Sequence, residues 1–211
     1  MRYLLVAEGS DDRMLFGPIE WLLDVHCSVP YRGEWANPAV LENPSRDLPT
    51  RLAQVKRFFP CDLAFVHRDV DTFTYDDRAS EINRAIASAD YSVPVICTIP
   101  VRMTEAWFLF NEAAIKQAAD RPSSRAQLRL PSHAEVQRRA DPKDILTRAL
   151  IEASDLSGRR LRQFSNDISR RKMLVSNLIS DYSPLRAHQS FTKFEADLKQ
   201  ILQANSWAAQ M

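Results

Sequence analysis

The chain is poor in the residues that build the most familiar metal and redox sites. Its three cysteines, Cys27, Cys61 and Cys97, are far apart and odd in number, and no Cys-x-x-Cys occurs. That argues against a structural zinc site. Each lies beside a predicted strand and reads as a buried apolar thiol. The four histidines, His26, His67, His133 and His188, show no metal-ligand spacing. No apolar run approaches the ~20 residues that span a bilayer, so no membrane association is expected. The first residues, Met1-Arg2-Tyr3-Leu4-Leu5-Val6-Ala7-Glu8, turn acidic too soon for a signal peptide and read as a first strand. A cytoplasmic location is therefore expected. There is no internal repeat and no low-complexity tract.

What is present is a globular composition. The 211 residues, 45% of them hydrophobic, suit one domain or one domain with a helical extension. The net charge of +1 hides an asymmetry. Residues 1–125 hold 14 Lys and Arg against 18 Asp and Glu, whereas residues 126–211 hold 14 against 9. The first half is suited to cations and the second to polyanions, unless both are simply solvated faces.

Apolar periodicity predicts strands at 2–7, 27–32, 62–67 and 93–99. Helices are predicted from Asp11 with a kink or delay at Pro18, at 49–59, at 77–89, and from a Thr104 cap to about Ala119. The segment from Gly33 to Pro49, with Pro38 and Pro44, reads as a loop. Beyond residue 120 only helices are expected, at 133–139, 143–154, 158–164, 166–181 and 190–204, with Asn166 and Ser190 as N-caps. Alternating strands and helices followed by helices alone predict an α/β core with a mainly parallel sheet, residues 1–125, and a basic helical extension, residues 126–211.

Three acidic elements fall where strands should end. Glu8 follows the first strand, Asp69-Val70-Asp71 the third, and Glu105 the fourth. In an open α/β sheet, ligands bind at the carboxyl ends of strands. Alternation puts Asp69 and Asp71 on one side of an extended segment, so both can face one cation. Hard cations want carboxylate oxygens, and Mg²⁺ needs few of them because it keeps its waters. Each acid alone has an ordinary explanation as a cap or turn residue. Together they point to a metal site of Glu8, Asp69, Asp71 and Glu105.

Glu8-Gly9 after one apolar strand and Asp69-Val70-Asp71 after a later one resemble the TOPRIM domain, shared by topoisomerases, bacterial primases, recombination proteins and nucleases of the overcoming-lysogenisation-defect type. Val6-Ala7-Glu8-Gly9-Ser10-Asp11-Asp12 and Thr104-Glu105-Ala106-Trp107-Phe108-Leu109 are similar to segments of small TOPRIM-like proteins often linked with phage defence. The resemblance covers about residues 1–115. It implies a TOPRIM/Rossmann-like fold and Mg²⁺- or Mn²⁺-dependent phosphodiester cleavage, with Glu8 as general acid/base or metal ligand, Asp69 and Asp71 as metal ligands, and Glu105 supporting a second ion. DNA or RNA is the implied partner, with a partner ATPase or another defence-system subunit as a further one; a homo-oligomer is among the assemblies left open. The chain departs from the pattern in His67-Arg68 before Asp69 and in having no Gly soon after Asp71. No topoisomerase tyrosine module is evident, which argues against strand passage.

The basic half carries Arg159, Arg160, Arg162, Arg170, Arg171 and Lys172 within residues 157–172, against one acid. Such a cluster can neutralise phosphates without reading sequence. Arg159, Arg160, Arg170 and Arg171 are the expected nucleic-acid contacts; the alternative is two solvated helix faces. Arg138, Arg139 and Lys143 form a second basic group. Lys143, after Asp141-Pro142, and Arg102, beside Glu105, are the candidate cations for a scissile phosphate. Trp107, Phe108 and Phe110 read as core rather than base-stacking residues. Two other functions stand beside the nuclease: a non-catalytic module for nucleic acid or a partner, and a haloacid-dehalogenase-like phosphohydrolase with Asp69 as nucleophile. The latter leaves Glu8 unexplained and meets Phe73 where its motif has Thr or Val.

Overall fold

Tyr3-Leu4-Leu5-Val6 and Leu63-Ala64-Phe65-Val66 are apolar at every position, as strands covered on both faces must be. In the computed structural model, which describes residues 1–41, 45, 47–100, 102–136, 138 and 141–209, they form β1 (Arg2–Val6) and β3 (Leu63–His67) at the centre of a sheet. The edges are β2 (Arg32–Trp35) and β4 (Val95–Thr98). Among the described residues the sheet is all parallel, in the order β2-β1-β3-β4. The chain leaves β1 in one direction for β2, then returns across it to β3. The sequence of strands therefore reverses between β1 and β3.

Helices flank both faces. Leu4, Val6, Ala64 and Val66 pack against α2 (Leu48–Phe58) and α3 (Tyr75–Ser88), through Leu52, Val55, Ile82 and Ala85. Tyr3, Leu5, Leu63, Phe65 and Ile96 share a cluster with α1 (Phe16–His26) on the other face. The same cluster contains residues of α4 (Glu112–Ala118), α5 (His133–Val136), α6 (Pro142–Ser154), α7 (Gly158–Asn166), α8 (Ile168–Leu178) and α9 (Gln189–Ala204). Its aromatic centre is Trp107, whose ring lies 5.2 Å from Phe191 and 5.6 Å from Phe194; Phe194 in turn meets Phe65 at 5.9 Å. Trp107 and Phe108 are fully buried and Phe110 partly so, as core residues should be. No helix among the described residues is long and apolar enough to cross a membrane.

Several elements differ from expectation for identifiable reasons. The second strand is not at 27–32, because α1 runs on to His26 and Cys27 ends it. The strand begins at Arg32 and runs through Gly33, which by local chemistry alone reads as the start of a loop. That glycine admits the Tyr3 ring: a Cβ at position 33 would lie 2.3 Å from Tyr3 Cζ. Asp11–Leu15 is a 3₁₀ turn, and α1 starts only at Phe16, so that Pro18 falls in its first turn, where a missing N–H costs no bond. The helix expected from Thr104 to Ala119 is split. Thr104–Phe108 is 3₁₀, and α4 restarts where the Asn111 side chain accepts the Ala114 N–H. Asp167 and His188, not Asn166 and Ser190, occupy the N-cap positions of α8 and α9, and the buried Ser190 hydroxyl finds no hydrogen-bond partner among the described residues. The cysteines are only half-buried. Arg139 and part of the helix expected at 133–139 lie outside the described residues.

Candidate functional site

β1 and β3 are adjacent and parallel, in register from Tyr3↔Leu63 to Val6↔Val66. Their carboxyl ends therefore deliver Glu8 and the Asp69–Asp71 segment to one edge of the sheet. This is also where the strand order reverses, the place where open α/β sheets leave a crevice for a ligand. Glu8, Asp69 and Asp71 share one electrostatic neighbourhood. Partial burial, then the negative charge of Asp69 and more weakly of Glu8, hold the Asp71 carboxyl above its ordinary range, against the opposing pull of Arg78 and His67.

The floor of this edge is a hydrogen-bonded group. Asp69 Oδ1 accepts the Thr104 N–H at 3.0 Å and faces His67 Nε2 at 3.3 Å. The Thr104 hydroxyl reaches Asp12 Oδ1 at 3.1 Å and His67 Nε2 at 3.2 Å. Asp12 Oδ2 accepts the Gly9 N–H at 2.8 Å, which fixes the turn after Glu8. His67 is fully buried, and its Nδ1 lies 2.9 Å from the Thr98 carbonyl. Burial alone would depress its pKa, but the Asp69 and Asp12 carboxylates outweigh burial and push it up to about 9. An imidazolium thus sits beneath the acids at neutral pH.

Guanidiniums line the outer side. Arg68 Nη1 is paired with Glu8, and its Nε lies 3.1 Å from Glu81. Arg78 donates to Glu81 at 2.7 Å and to the Asp69 carbonyl at 2.7 Å, and approaches Asp71 at 3.5 Å. Arg51, on α2, is buried, and its pKa is lowered by burial and by Arg68, against the pull of Glu8 and Asp12. Asp71 and Arg102 both adopt left-handed backbone, with φ of 50° and 68°, and the Asp71 N–H bonds the Arg102 carbonyl at 3.0 Å. Such conformations cost energy away from glycine and gather at functional sites.

The remaining candidates are placed as follows. Glu105 is buried and turned inward, its Oε1 3.2 Å from the buried Lys172 ammonium. Arg102 meets the cluster through its backbone. Lys143 opens α6 and places its ammonium 3.8 Å from Asp11, beside the turn after β1. Arg159 and Arg160 are exposed on the first turn of α7. Arg170 is exposed, 3.7 Å from Asp167. Arg171 is engaged internally: it donates to the Ala118 carbonyl at 2.8 Å, meets Asp120 at 2.5 Å and lies over the Phe164 ring. Sequence reasoning misses Asp12, His67, Thr104, Arg68, Arg78 and Glu81 as members of this group. The signal for His67 and Arg68 is their polarity at the end of an apolar strand; for Arg78 and Glu81 it is an i,i+3 pair on the helix that follows.

Among the described residues no group of three or more His, Cys, Asp and Glu side chains is arranged to hold a metal ion. The donors therefore do not fit a closed, all-protein cage. Each of the three strand-end acids already faces a cationic or basic side chain, Glu8 facing Arg68, Asp69 facing His67 and Asp71 facing Arg78. Compared with known proteins, the chain matches no family model, and no curated protein or solved structure matches it significantly. What the fold establishes is the α/β class, with a parallel four-stranded sheet between helices.

Proposed function

We propose that this chain is a TOPRIM-like nuclease or nuclease subunit that cleaves phosphodiester bonds of DNA or RNA with Mg²⁺ or Mn²⁺. The observation that carries the reading is that β1 and β3, adjacent and parallel, end at one edge of the sheet, where Glu8 and the Asp69–Asp71 segment follow them, with Glu8 and Asp71 linked through ion pairs of Arg68, Glu81 and Arg78. When bound, the cation supplies an acidified water and charge neutralisation at a phosphoryl oxygen. Asp69 and Asp71 would hold it. Thr104 and His67 fix the Asp69 carboxylate, so little reorganisation is needed on binding. Glu8, exposed beyond the end of β1 and held by Arg68, accepts or returns a proton at its carboxylate. Lys143 and the exposed Arg159, Arg160 and Arg170 meet flanking phosphates. Glu105, paired with Lys172, supports the site from within the core.

The test is cleavage of labelled single- and double-stranded DNA and RNA with each cation. Activity is expected to need Mg²⁺ or Mn²⁺ and to vanish in Asp69→Asn and Asp71→Asn while the fold persists. Full activity in both variants would remove the metal role. A second reading, a non-catalytic module for nucleic acid or a partner protein, is favoured by the pairing of Glu8 with Arg68 and of Asp71 with Arg78. It predicts binding without cleavage under every cation.

A further inference from the structure

We propose that the free edge of β2 is a self-association surface, which pairs antiparallel with β2 of a second copy of this chain across a two-fold axis at Gly33. β2 stands at the end of the order β2-β1-β3-β4, and among the described residues no strand lies beyond it. The opposite edge, β4, is flanked by α9. The Arg32 N–H donates to the Met1 carbonyl at 3.0 Å and the Ala36 N–H to that of Leu5 at 2.9 Å, so the even positions of this stretch face β1. By alternation, the Gly33 N–H and carbonyl and the Trp35 N–H point away from the sheet. Among the described residues neither Gly33 group meets a backbone partner beyond the sheet. The Trp35 carbonyl is turned onto its own chain, where it accepts the Asn37 N–H at 2.7 Å.

The side chains of this edge are complementary to themselves. β2 reads Arg32-Gly33-Glu34-Trp35. A two-fold pairing centred on Gly33 lets the two glycines exchange their N–H and carbonyl groups, and sets residue 32 opposite 34 and residue 31 opposite 35. Arg32 then faces the partner's Glu34, and Glu34 the partner's Arg32, on one face of the sheet. Tyr31 faces the partner's Trp35 on the other. Arg32 and Glu34 are exposed, and Tyr31 and Trp35 are half-buried. Among the described residues no ion pair holds either charge. A short, charged strand is ordinarily a guarded edge, because charge of one sign repels a second copy. Here the two charges are opposite in sign and two residues apart, so an antiparallel copy meets attraction at both crossings. Exposed apolar side chains lie beside both ends of the strand. Val25 adjoins Asp24, which accepts the Tyr31 hydroxyl, and Val40 lies in the 3₁₀ turn after β2. The product is one continuous sheet of eight strands, four from each copy.

Sedimentation velocity at loading concentrations from ~1 µM to ~1 mM reads the association. The unaltered chain should pass from monomer to dimer within that range. Arg32→Glu sets acid against acid at both crossings, and Glu34→Arg sets base against base. Each should weaken dimerisation about tenfold or more. The two changes combined in one chain restore both crossings and should restore the dimer. The two single variants, mixed, should pair with each other, since one presents two acids and the other two bases; native mass spectrometry identifies that heterodimer by its mass. Thermal unfolding of each variant serves as the folding control, and the midpoints should agree because both side chains are exposed. Should a single reversal fold poorly, the combined variant decides, and loss of its dimer overturns the proposal. An unaltered chain that stays monomeric throughout overturns it, as does a dimer indifferent to both single reversals, or single variants that recover neither when combined nor when mixed. None of these outcomes depends on phosphodiester cleavage, so the proposed activity stands or falls separately.

Discussion

Lys172 and Glu105 show how a single side chain changes meaning once its surroundings are known. Both are almost completely buried, at 3% and 6% side-chain exposure, with their charged atoms 3.2 Å apart. A buried pair of this kind adds little net stability, but removing one member leaves the other charged and unpaired. Lys172→Met should therefore cost about 3–5 kcal/mol in urea unfolding, and adding Glu105→Gln should return most of that loss. Equal destabilisation by the single and double variants would contradict the pairing. From sequence, Lys172 belongs to a basic run and Glu105 to a row of strand-end acids; nothing in either neighbourhood announces that two residues 67 positions apart close on each other. Asp71 illustrates the opposite situation. Its folded pKa is raised, so its charge opposes folding at neutral pH and that cost disappears as pH falls and the group protonates. Asp71→Asn removes the charge and tolerates the left-handed backbone. It should hold or raise the thermal midpoint of the cation-free chain while weakening Mn²⁺ binding. A marked drop in the midpoint would show that the attraction of Arg78 outweighs the repulsion.

At the scale of elements, α9 is fastened by more than its aromatic face. Glu195 on α9 accepts from Arg186 at 2.7 and 2.9 Å, and lies 2.7 Å from His26 at the end of α1. The Arg186 hydrogen bonds, against some burial, pull its pKa down to about 2 from an ordinary 4.5. A depressed carboxyl stabilises the fold above its unfolded pKa and loses that contribution as pH falls through the folded one. The stability of the unaltered chain should thus decline between about pH 4.5 and pH 2, by about 1–3 kcal/mol from this group after solvent screening. Glu195→Gln should flatten that limb and be less stable at pH 7; calorimetry across the acid range decides. The central strands and α2, α3, α6 and α9 are legible because their apolar spacing and their role as core are the same fact. β2 is not, since Gly33 signals a loop locally and only the Tyr3 ring on the neighbouring strand explains it. The split after Thr104 is hidden for a similar reason. Its hydroxyl and N–H are drawn to Asp12 and Asp69, residues remote in sequence, instead of capping a helix.

Across the whole molecule, the acidic and basic halves meet. Lys143 and Ser169 of the second half approach Asp11, in the turn that follows β1. Under the proposed function, this contact would link a polyanion held by the exposed arginines of α7 and α8 to the edge where the carboxylates lie. Replacing Arg159, Arg160 and Arg170 with Ala should weaken nucleic-acid binding uniformly across sequences and lower the log–log salt slope by roughly 0.7–0.9 for each phosphate no longer neutralised. Arg171→Ala, by comparison, should act through stability, because that guanidinium holds Asp120 and the end of α4. That Glu8, Asp69 and Asp71 follow the ends of strands can be read from the sequence because the apolar runs before them stop there. The arginines and His67 that surround them cannot, because their partners come from separate segments of the chain. The most direct measurement of the central claim is a titration of Mn²⁺ into the purified chain, followed by electron paramagnetic resonance, beside Asp69→Asn and Asp71→Asn. Saturable binding by the unaltered chain that is abolished or severely weakened in both variants is the predicted result; no saturable binding, or equal binding in all three, would contradict it.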